Sequence, residues 1–365
     1  MPMKIGIVSK FGAADGLCVR AEAVLKGLVE LGHEIHIFTQ SKEIDFLPSE
    51  KIHGFSAVQL NPHFSIDAID SIRMIAKESR KYDLDLLHLQ MNSGSTEFFL
   101  PMVRKSLPPL VLTFHLAYAS GGSFYTTLFA IAWKLSLFVS KKYDSIILVD
   151  PSQKPYFLRY GISEDKLTVI RNGVDTEQFK PGELAKKNEE VIDFVYVGRL
   201  SYDKGVNVLL ESFNEYHRIN PHSRLTLVGD GMLKFQIDEF NENKSIRWLG
   251  SIHHEKLPLV LQSSDVFVIP QNIGGLGLSV LEAMSCGLPV ITTAIGETTR
   301  LLSSDEGILV EPKNRTAVVE AMQQLAEDTQ LRKSMGEQCR SKILRDYSWA
   351  SQINLLEKVY KEVIL

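Results

Sequence analysis

Cysteine is scarce in this sequence. Three occur in 365 residues, Cys18, Cys286 and Cys339. They are too far apart for a zinc or redox spacing, which excludes a disulfide framework and fits free thiols in a reducing, cytoplasmic compartment. Long hydrophobic runs are missing too. The longest apolar stretch, 126–140 (TTLFAIAWKLSLFVS), is interrupted by Lys134 and falls short of the roughly 20 residues a membrane span needs. There is no basic excess: 40 Lys and Arg against 44 Asp and Glu leave a net charge of −4, so no global field recruits nucleic acid. The opening MPMKIGIVSKFG enters a strand pattern directly, without the organisation of a signal peptide. The chain carries no internal repeat and no low-complexity tract.

Two further absences narrow the chemistry. The turn after the first strand, SKFGAADG (9–16), lacks the G-x-G-x-x-G spacing for a dinucleotide, and the second strand ends in Phe38-Thr39-Gln40 with no acid to hold a ribose. A nicotinamide dehydrogenase is therefore a poor fit. Nor does an Asp-x-Asp pair stand at the carboxyl end of a strand, where a divalent ion would bridge phosphates. Asp83-x-Asp85 precedes its strand instead. The expectation is chemistry with no metal and no organic cofactor.

What is present is alternation. Apolar runs at Lys4–Ser9, Glu34–Thr39, Leu84–Leu89, Leu110–His115 and Ser145–Val149 read as strands, with helical patterns at Leu17–Leu31, Ile66–Lys81 and Ser123–Lys142 between them. A polar linker at 171–190 comes next, and the alternation restarts at Ile192–Val197 and continues to about Leu309. The last helical patterns cover 314–328, 329–345 and 348–364. Strand–helix alternation builds parallel, doubly wound sheets. The expected fold class is α/β: two Rossmann-like domains facing a cleft, at 1–175 and 182–345. The apolar positions Ile353, Leu356, Val359, Tyr360 and Val363 predict a final helix, 348–365, that crosses back to the first domain.

Three loops carry the chemistry. In DVFVIPQNIGGLGLSVLEAMSCGLPVITT (265–293), a strand runs into Gly274-Gly275-Leu276-Gly277 and then a short helix with Glu282. Glycines at a helix mouth let backbone N–H groups approach an anion, and a carboxylate one turn further in suits the vicinal diol of a ribose. A tight turn with a capping glutamate is the plain alternative. In FVYVGRLSYDKG (194–205), Arg199 and Lys204 flank a glycine turn, a bidentate donor and a compact charge suited to a diphosphate. LTLVGDG (225–231) ends a third strand in the same way. All three loops come after strand carboxyl ends, where open α/β sheets bind ligands.

These motifs, with VIRNGVDTEQFKP (169–181) and YSWASQ (347–352), make the chain resemble the retaining glycosyltransferases of family 4, the group 1 enzymes with the GT-B fold. The resemblance covers nearly the whole chain, more weakly in the first half. It implies transfer of a hexose-type sugar from a nucleotide-diphosphate donor to a hydroxyl acceptor, a glycan or a lipid-linked one, with retention and without a metal. It implies donor binding by Gly12, Gly16, Gly198, Arg199, Lys204, Gly231, Gly275, Leu276, Gly277, Leu278, Ser279 and Glu282. His115, closing the strand that begins at Leu110, is implied to contact the donor sugar, so His115, Arg199 and Lys204 form the catalytic set. His88, at what reads as a parallel strand end, is a weaker candidate, and His253 and His254 read as loop residues.

Two positions depart from the family. The glutamate expected before Glu282, with seven residues between the two, is Gly274, and one usual near 300 is Arg300. Both remove negative charge from the expected sugar position. Arg300 would suit an acidic sugar, whereas solvent exposure or a neutral hexose held by backbone groups is the plainer expectation. The departures keep open a nucleotide-sugar-binding protein without transfer, or an epimerase or hydrolase on the same fold. Acceptor contacts are expected from the loops 41–54, 92–98 and 116–124. The stretch 126–140 reads as a core-packed helix or, with Trp133 and Lys134 at a surface, as a peripheral contact at the inner face of the membrane. A basic stripe at Arg73, Lys77, Arg80 and Lys81 would aid such docking, though charged stripes are ordinary solvated faces.

Overall fold

The computed structural model describes residues 2–11, 16–40, 47–61, 64–67, 69–90, 95–115, 134–182, 190–241, 243–273 and 277–365. Gly12, Gly274, Gly275, Leu276 and most of the apolar stretch 126–140 lie outside them. The chain divides into two compact units, Met1–Asn172 with Trp349–Leu365, and Gly173–Ser348.

Unit 1 contains strands β1 (Lys4–Val8), β2 (Glu34–Thr39), β3 (Ile52–Gly54), β4 (Ala57–Asn61), β5 (Phe64–Asp67), β6 (Leu86–Gln90), β7 (Leu110–Phe114), β8 (Ser145–Leu148) and β9 (Leu167–Val169). Among the described residues, seven form one parallel sheet in the order β3-β2-β1-β6-β7-β8-β9. β4 and β5 form a separate antiparallel hairpin. That hairpin corrects the expectation of a helix starting at Ile66. Ile66 pairs with Val58, and the helix begins at Ile69. On that helix, Arg73 pairs with Asp70 and Lys81 with Glu78, so part of the basic stripe is matched locally.

Helix α1 (Gly16–Glu30) and the C-terminal helix, here α2 (Trp349–Ile364), cover one face of the sheet. Ile353, Leu356, Val359 and Tyr360 are buried there with Ile5, Val24 and Val111. Each such side chain contributes about 1.5–3 kcal/mol of burial. Gly27 of α1 lets the helices approach closely, because a Cβ there would overlap the Ile353 side chain. Asp85 ties the start of β6 to β1 by accepting from the Lys4 backbone N–H at 2.7 Å, a structural role.

Unit 2 holds β10 (Ile192–Val197), β11 (Ser223–Val228), β12 (Ile246–Trp248), β13 (Val266–Ile269), β14 (Val290–Thr293) and β15 (Gly307–Val310). Among the described residues these make a six-stranded parallel sheet in the order β12-β11-β10-β13-β14-β15. Arg340 fastens the entering segment to this unit, donating to the carbonyls of Phe179 at 2.9 Å, Ser285 at 3.0 Å and Thr176 at 3.0 Å. In both sheets strand order reverses beside the first strand, between β1 and β6 and between β10 and β13. Open α/β sheets bind ligands outside strand carboxyl ends at such reversals.

Candidate active site

At the reversal in unit 2, two loops are joined by their backbones. The loop after β10 runs from Gly198 to Gly205, and the one after β11 begins at Gly229. Gly198 N–H donates to Val228 O at 3.0 Å, and Leu200 N–H to Asp230 O at 3.0 Å. Gly229, at φ 127°, lies so close to Gly198 that a Cβ would overlap its carbonyl oxygen. Gly231 is packed likewise against Leu200 O. Gly198 and Gly231, expected as donor-binding glycines, thus take part in loop-to-loop packing.

The cation turn, Tyr202–Lys204, is closed by Gly205 in the left-handed region at φ 71°. A Cβ at 205 would overlap the carbonyl oxygen of Pro270. The segment after β13 straps this turn: Asn272 N–H donates to Asp203 O at 2.8 Å, its Nδ2 to Tyr202 O at 2.7 Å, and Ile273 N–H to Asp203 O at 3.2 Å. Lys204 Nζ donates to Gln271 Oε1 at 3.4 Å. Burial holds its pKa below the ordinary lysine value, with Asp203 opposing. Arg199 is largely exposed, its guanidinium 3.3 Å from Asp203 Oδ2. Lys204 is therefore a half-buried cation on a fixed stalk, and Arg199 a cation with room to swing.

Beyond β13, Gly277 precedes helix α3 (Leu278–Ser285). Leu278 and Ser279 form its first turn, where backbone N–H groups have no partner within the helix. Glu282 lies one turn in and is buried. Its Oε1 accepts from His254 Nε2 at 2.7 Å. The half-exposed His254 ring packs on Phe179, with centroids 5.1 Å apart. His254 is thus no bystander, which corrects its reading as a loop residue: it heads the turn His254–Lys256 and supplies a donor to the carboxylate. Gln271 is a residue that the motif reading passed over.

In unit 1, Gly16 opens α1, and His115 comes directly after the last residue of β7. The His115 Nε2 is shut off from solvent with no hydrogen-bond partner among the described residues. Burial, helped by the charge of Arg20, holds its pKa well below the ordinary value, so the ring is neutral at pH 7. His88 differs from its expected place at a strand end. It sits in the middle of β6 with Nε2 2.7 Å from Thr113 Oγ1 and Nδ1 2.5 Å from Tyr360 Oη. Burial pushes its pKa down to about 3. Both nitrogens are occupied, and His88 is structural.

Arg300 donates to Glu297 Oε1 at 2.7 Å. Glu297 is buried at the start of the loop helix Thr298–Leu301. Among the described residues, no group of three or more His, Cys, Asp or Glu is arranged to hold a metal ion.

Two doubly wound sheets with loops of this kind define a GT-B architecture, and comparison with known proteins gives the family. The family described as Glycosyl transferases group 1 matches residues 176–342, and Glycosyltransferase Family 4 matches residues 14–178. The chain belongs to the group 1, family 4 glycosyltransferases. A phosphatidylinositol N-acetylglucosaminyltransferase subunit of Arabidopsis thaliana is 29% identical over 60% of this chain and 49% of its own length. Alpha-monoglucosyldiacylglycerol synthase of Acholeplasma laidlawii is 24% identical over 79% of this chain and 80% of its own. In the Arabidopsis protein and a mycobacterial glycogen synthase alike, the match spans about half of the relative (49% and 54%). The crystal structure of Anabaena HepE in complex with UDP-glucose superposes with a TM-score of 0.78 at 16% identity, over 99% of this chain and 100% of that one.

Proposed function

We propose that this protein transfers a hexose-type sugar from a nucleoside-diphosphate donor to a hydroxyl acceptor, with retention and without a metal. The observation that carries this reading is the pairing, at one sheet reversal, of the strapped cation Lys204 with the buried carboxylate Glu282. The first suits a diphosphate and the second a ribose. UDP-glucose in the HepE structure is consistent with such a donor. The names of the Arabidopsis and Acholeplasma relatives both contain a lipid, which favours a lipid-linked hydroxyl here. Among the described residues no helix is long and apolar enough to cross a membrane. The helix over 134–140 exposes Leu135 and Phe138, a surface suited to peripheral contact with the cytoplasmic leaflet.

The chemistry assigns each residue a task. The bond from the anomeric carbon to the diphosphate oxygen breaks, the bond from that carbon to the acceptor oxygen forms, and the acceptor proton passes to the departing diphosphate. Lys204 and Arg199 stabilise the charge that grows on the leaving group. Glu282 holds the ribose, and the α3 N-terminus meets a phosphate. His115, in unit 1, is a neutral imidazole, suited to hydrogen-bond a sugar hydroxyl without adding a positive charge.

The test is a panel of neutral and acidic nucleotide sugars with lipid and glycan acceptors, in EDTA, followed by anomeric NMR of the product. Acceptor-dependent release of nucleoside diphosphate, unaffected by EDTA and with the donor's anomeric configuration kept, is expected. Nucleotide binding with no transfer, hydrolysis or epimer formation across the panel would replace the transferase by a binding protein.

A further inference from the structure

The face of the unit 1 sheet beneath α1 and α2 carries a line of polar side chains inside an otherwise apolar core. The register pairs His88 with Val111 and Gln90 with Thr113, and residues two apart on a strand share a face. His88, Gln90, Val111 and Thr113 therefore point the same way, as the bond from His88 to Thr113 requires. At the inner end every group is satisfied, because Tyr360 and Thr113 occupy both nitrogens of His88. Toward the carboxyl edge this stops.

Gln90 is 1% exposed, and neither its Oε1 nor its Nε2 has a hydrogen-bond partner among the described residues. His115 Nε2 has none either. Arg20, 2% exposed, uses Nη1 on Arg171 O at 3.0 Å and Asn172 Oδ1 at 2.9 Å, and its Nε is left without a partner. The Arg20 charge acts on His88, His115 and Tyr360, which puts these groups in one neighbourhood. Four unsatisfied buried atoms from three elements are costly, and buried polar groups in native proteins are paired as a rule. Gln90 ends β6 and His115 follows β7, the strand paired with β6, so both stand at the carboxyl edge of the sheet, the side on which sheets of this type bind ligands.

We propose that Gln90, Arg20 and His115 form a socket in unit 1 for the hydroxyl groups of a sugar ring, with Gln90 as its specificity-determining residue. A carboxamide presents an acceptor beside two donors, and vicinal hydroxyls both donate and accept, so the two match in a plane. Arg20 Nε adds a fixed donor, and the neutral imidazole serves as either. A wholly anionic group would leave Gln90 Oε1 unsatisfied. An ammonium would face the Arg20 charge. The transferase reading enters only for the origin of the sugar, which either the donor or the acceptor can supply.

Gln90→Met tests this, since it keeps the side-chain volume and removes both polar atoms. Gln90→Leu gives the same readout if Met repacks the face. The free variant is expected to melt at or above the wild-type temperature, having lost two unsatisfied atoms. Its kcat/KM should fall roughly 5- to 100-fold, as for one or two lost hydrogen bonds, while UDP affinity stays unchanged. A rise confined to the donor KM assigns the socket to the donor sugar, and one confined to the acceptor KM to the acceptor. Wild-type kinetics in both variants would overturn the socket and leave it a structural polar site. If wild-type protein transfers no sugar at all, the transferase reading falls. A thermal-shift series with glucose, galactose, N-acetylglucosamine and glucuronate then decides the socket. A sugar-dependent rise that Gln90→Met abolishes sustains it, and no rise in the wild type overturns it.

Discussion

The His254–Glu282 pair gives the sharpest prediction about nucleotide recognition. Glu282 is buried, and His254 Nε2 donates to it from 2.7 Å. A hydrogen bond to a charged group contributes about 1.5–3 kcal/mol. The His254 side chain is 41% exposed, so water replaces part of what His254→Ala removes, and the expected stability loss is about 1 kcal/mol. For a unit of this size that corresponds to a fall in Tm of about 2–4 °C. The carboxylate keeps lone pairs beyond the one His254 occupies, enough for a vicinal diol. Wild-type protein should therefore prefer UDP over 2′-deoxy-UDP by about 10- to 100-fold, taking one charge-assisted bond per hydroxyl and a tenfold factor per 1.4 kcal/mol. Glu282→Gln should cut this preference by about tenfold. His254→Ala, which leaves the carboxylate in place but unsteered, should cut it by about threefold. Titration calorimetry with the two nucleotides on the three proteins measures the ratios. An equal preference in wild type and Glu282→Gln would show that the carboxylate does not face the ribose.

Three further outcomes concern the cation turn. Lys204→Ala and Arg199→Ala should each weaken UDP binding by about 1.5–3 kcal/mol, the first with the larger effect because Lys204 is the more buried; unchanged affinity in both by calorimetry would remove them from the diphosphate site. Gly205→Ala forces φ 71° on an L-residue and drives a Cβ into Pro270 O, so a loss of more than about 2 kcal/mol is expected in urea melts, against about 1–2 for the left-handed backbone alone; a loss under about 1 would mean that the strap is loose. Burial lowers the pKa of Lys204 in the folded state, so the folded protein binds fewer protons than the unfolded chain between that lowered value and the ordinary 10.5, and stability rises with pH across this window. Diphosphate favours the charged form, so UDP affinity should fall as pH climbs through the lowered pKa, and Lys204→Arg should hold its affinity to higher pH; parallel curves for the two proteins would exclude the lysine as the titrating group.

Why some of this could be read from sequence and some not has a physical explanation. The two doubly wound sheets were legible because strands buried on both faces are near-continuous apolar runs, as in IDFVYV and DVFVI. The β4–β5 hairpin was not. Its strands are short and rich in polar residues, and Ile66 continues the helical period of the segment after it. Within the site, Arg199, Lys204 and Glu282 stand in local motifs. Gln271 lies 67 residues from Lys204, and His254 lies 28 from Glu282. Gln271 meets Lys204 because β13 lies beside β10, and His254 reaches Glu282 from the loop after β12, both facts of topology with no local signal. His88 and His115 look alike in sequence, each at the end of an apolar run. What separates them is Tyr360, 272 residues from His88, whose hydroxyl fills the last free nitrogen of one ring and not of the other.

The same dependence on neighbours changes the meaning of the charge at position 300. Read alone, an arginine where the family carries a glutamate calls for an anion, because a buried cation without a partner is costly. Arg300 is half-exposed, and its guanidinium is bonded to Glu297, a buried carboxylate one helical turn earlier at the carboxyl edge of β14. A negative charge thus stands three residues before position 300, and it pairs with the arginine there. A cation so matched has no need of an acidic sugar. The reason for preferring a charged donor disappears, and a neutral hexose becomes the donor with fewest unmet demands on this loop.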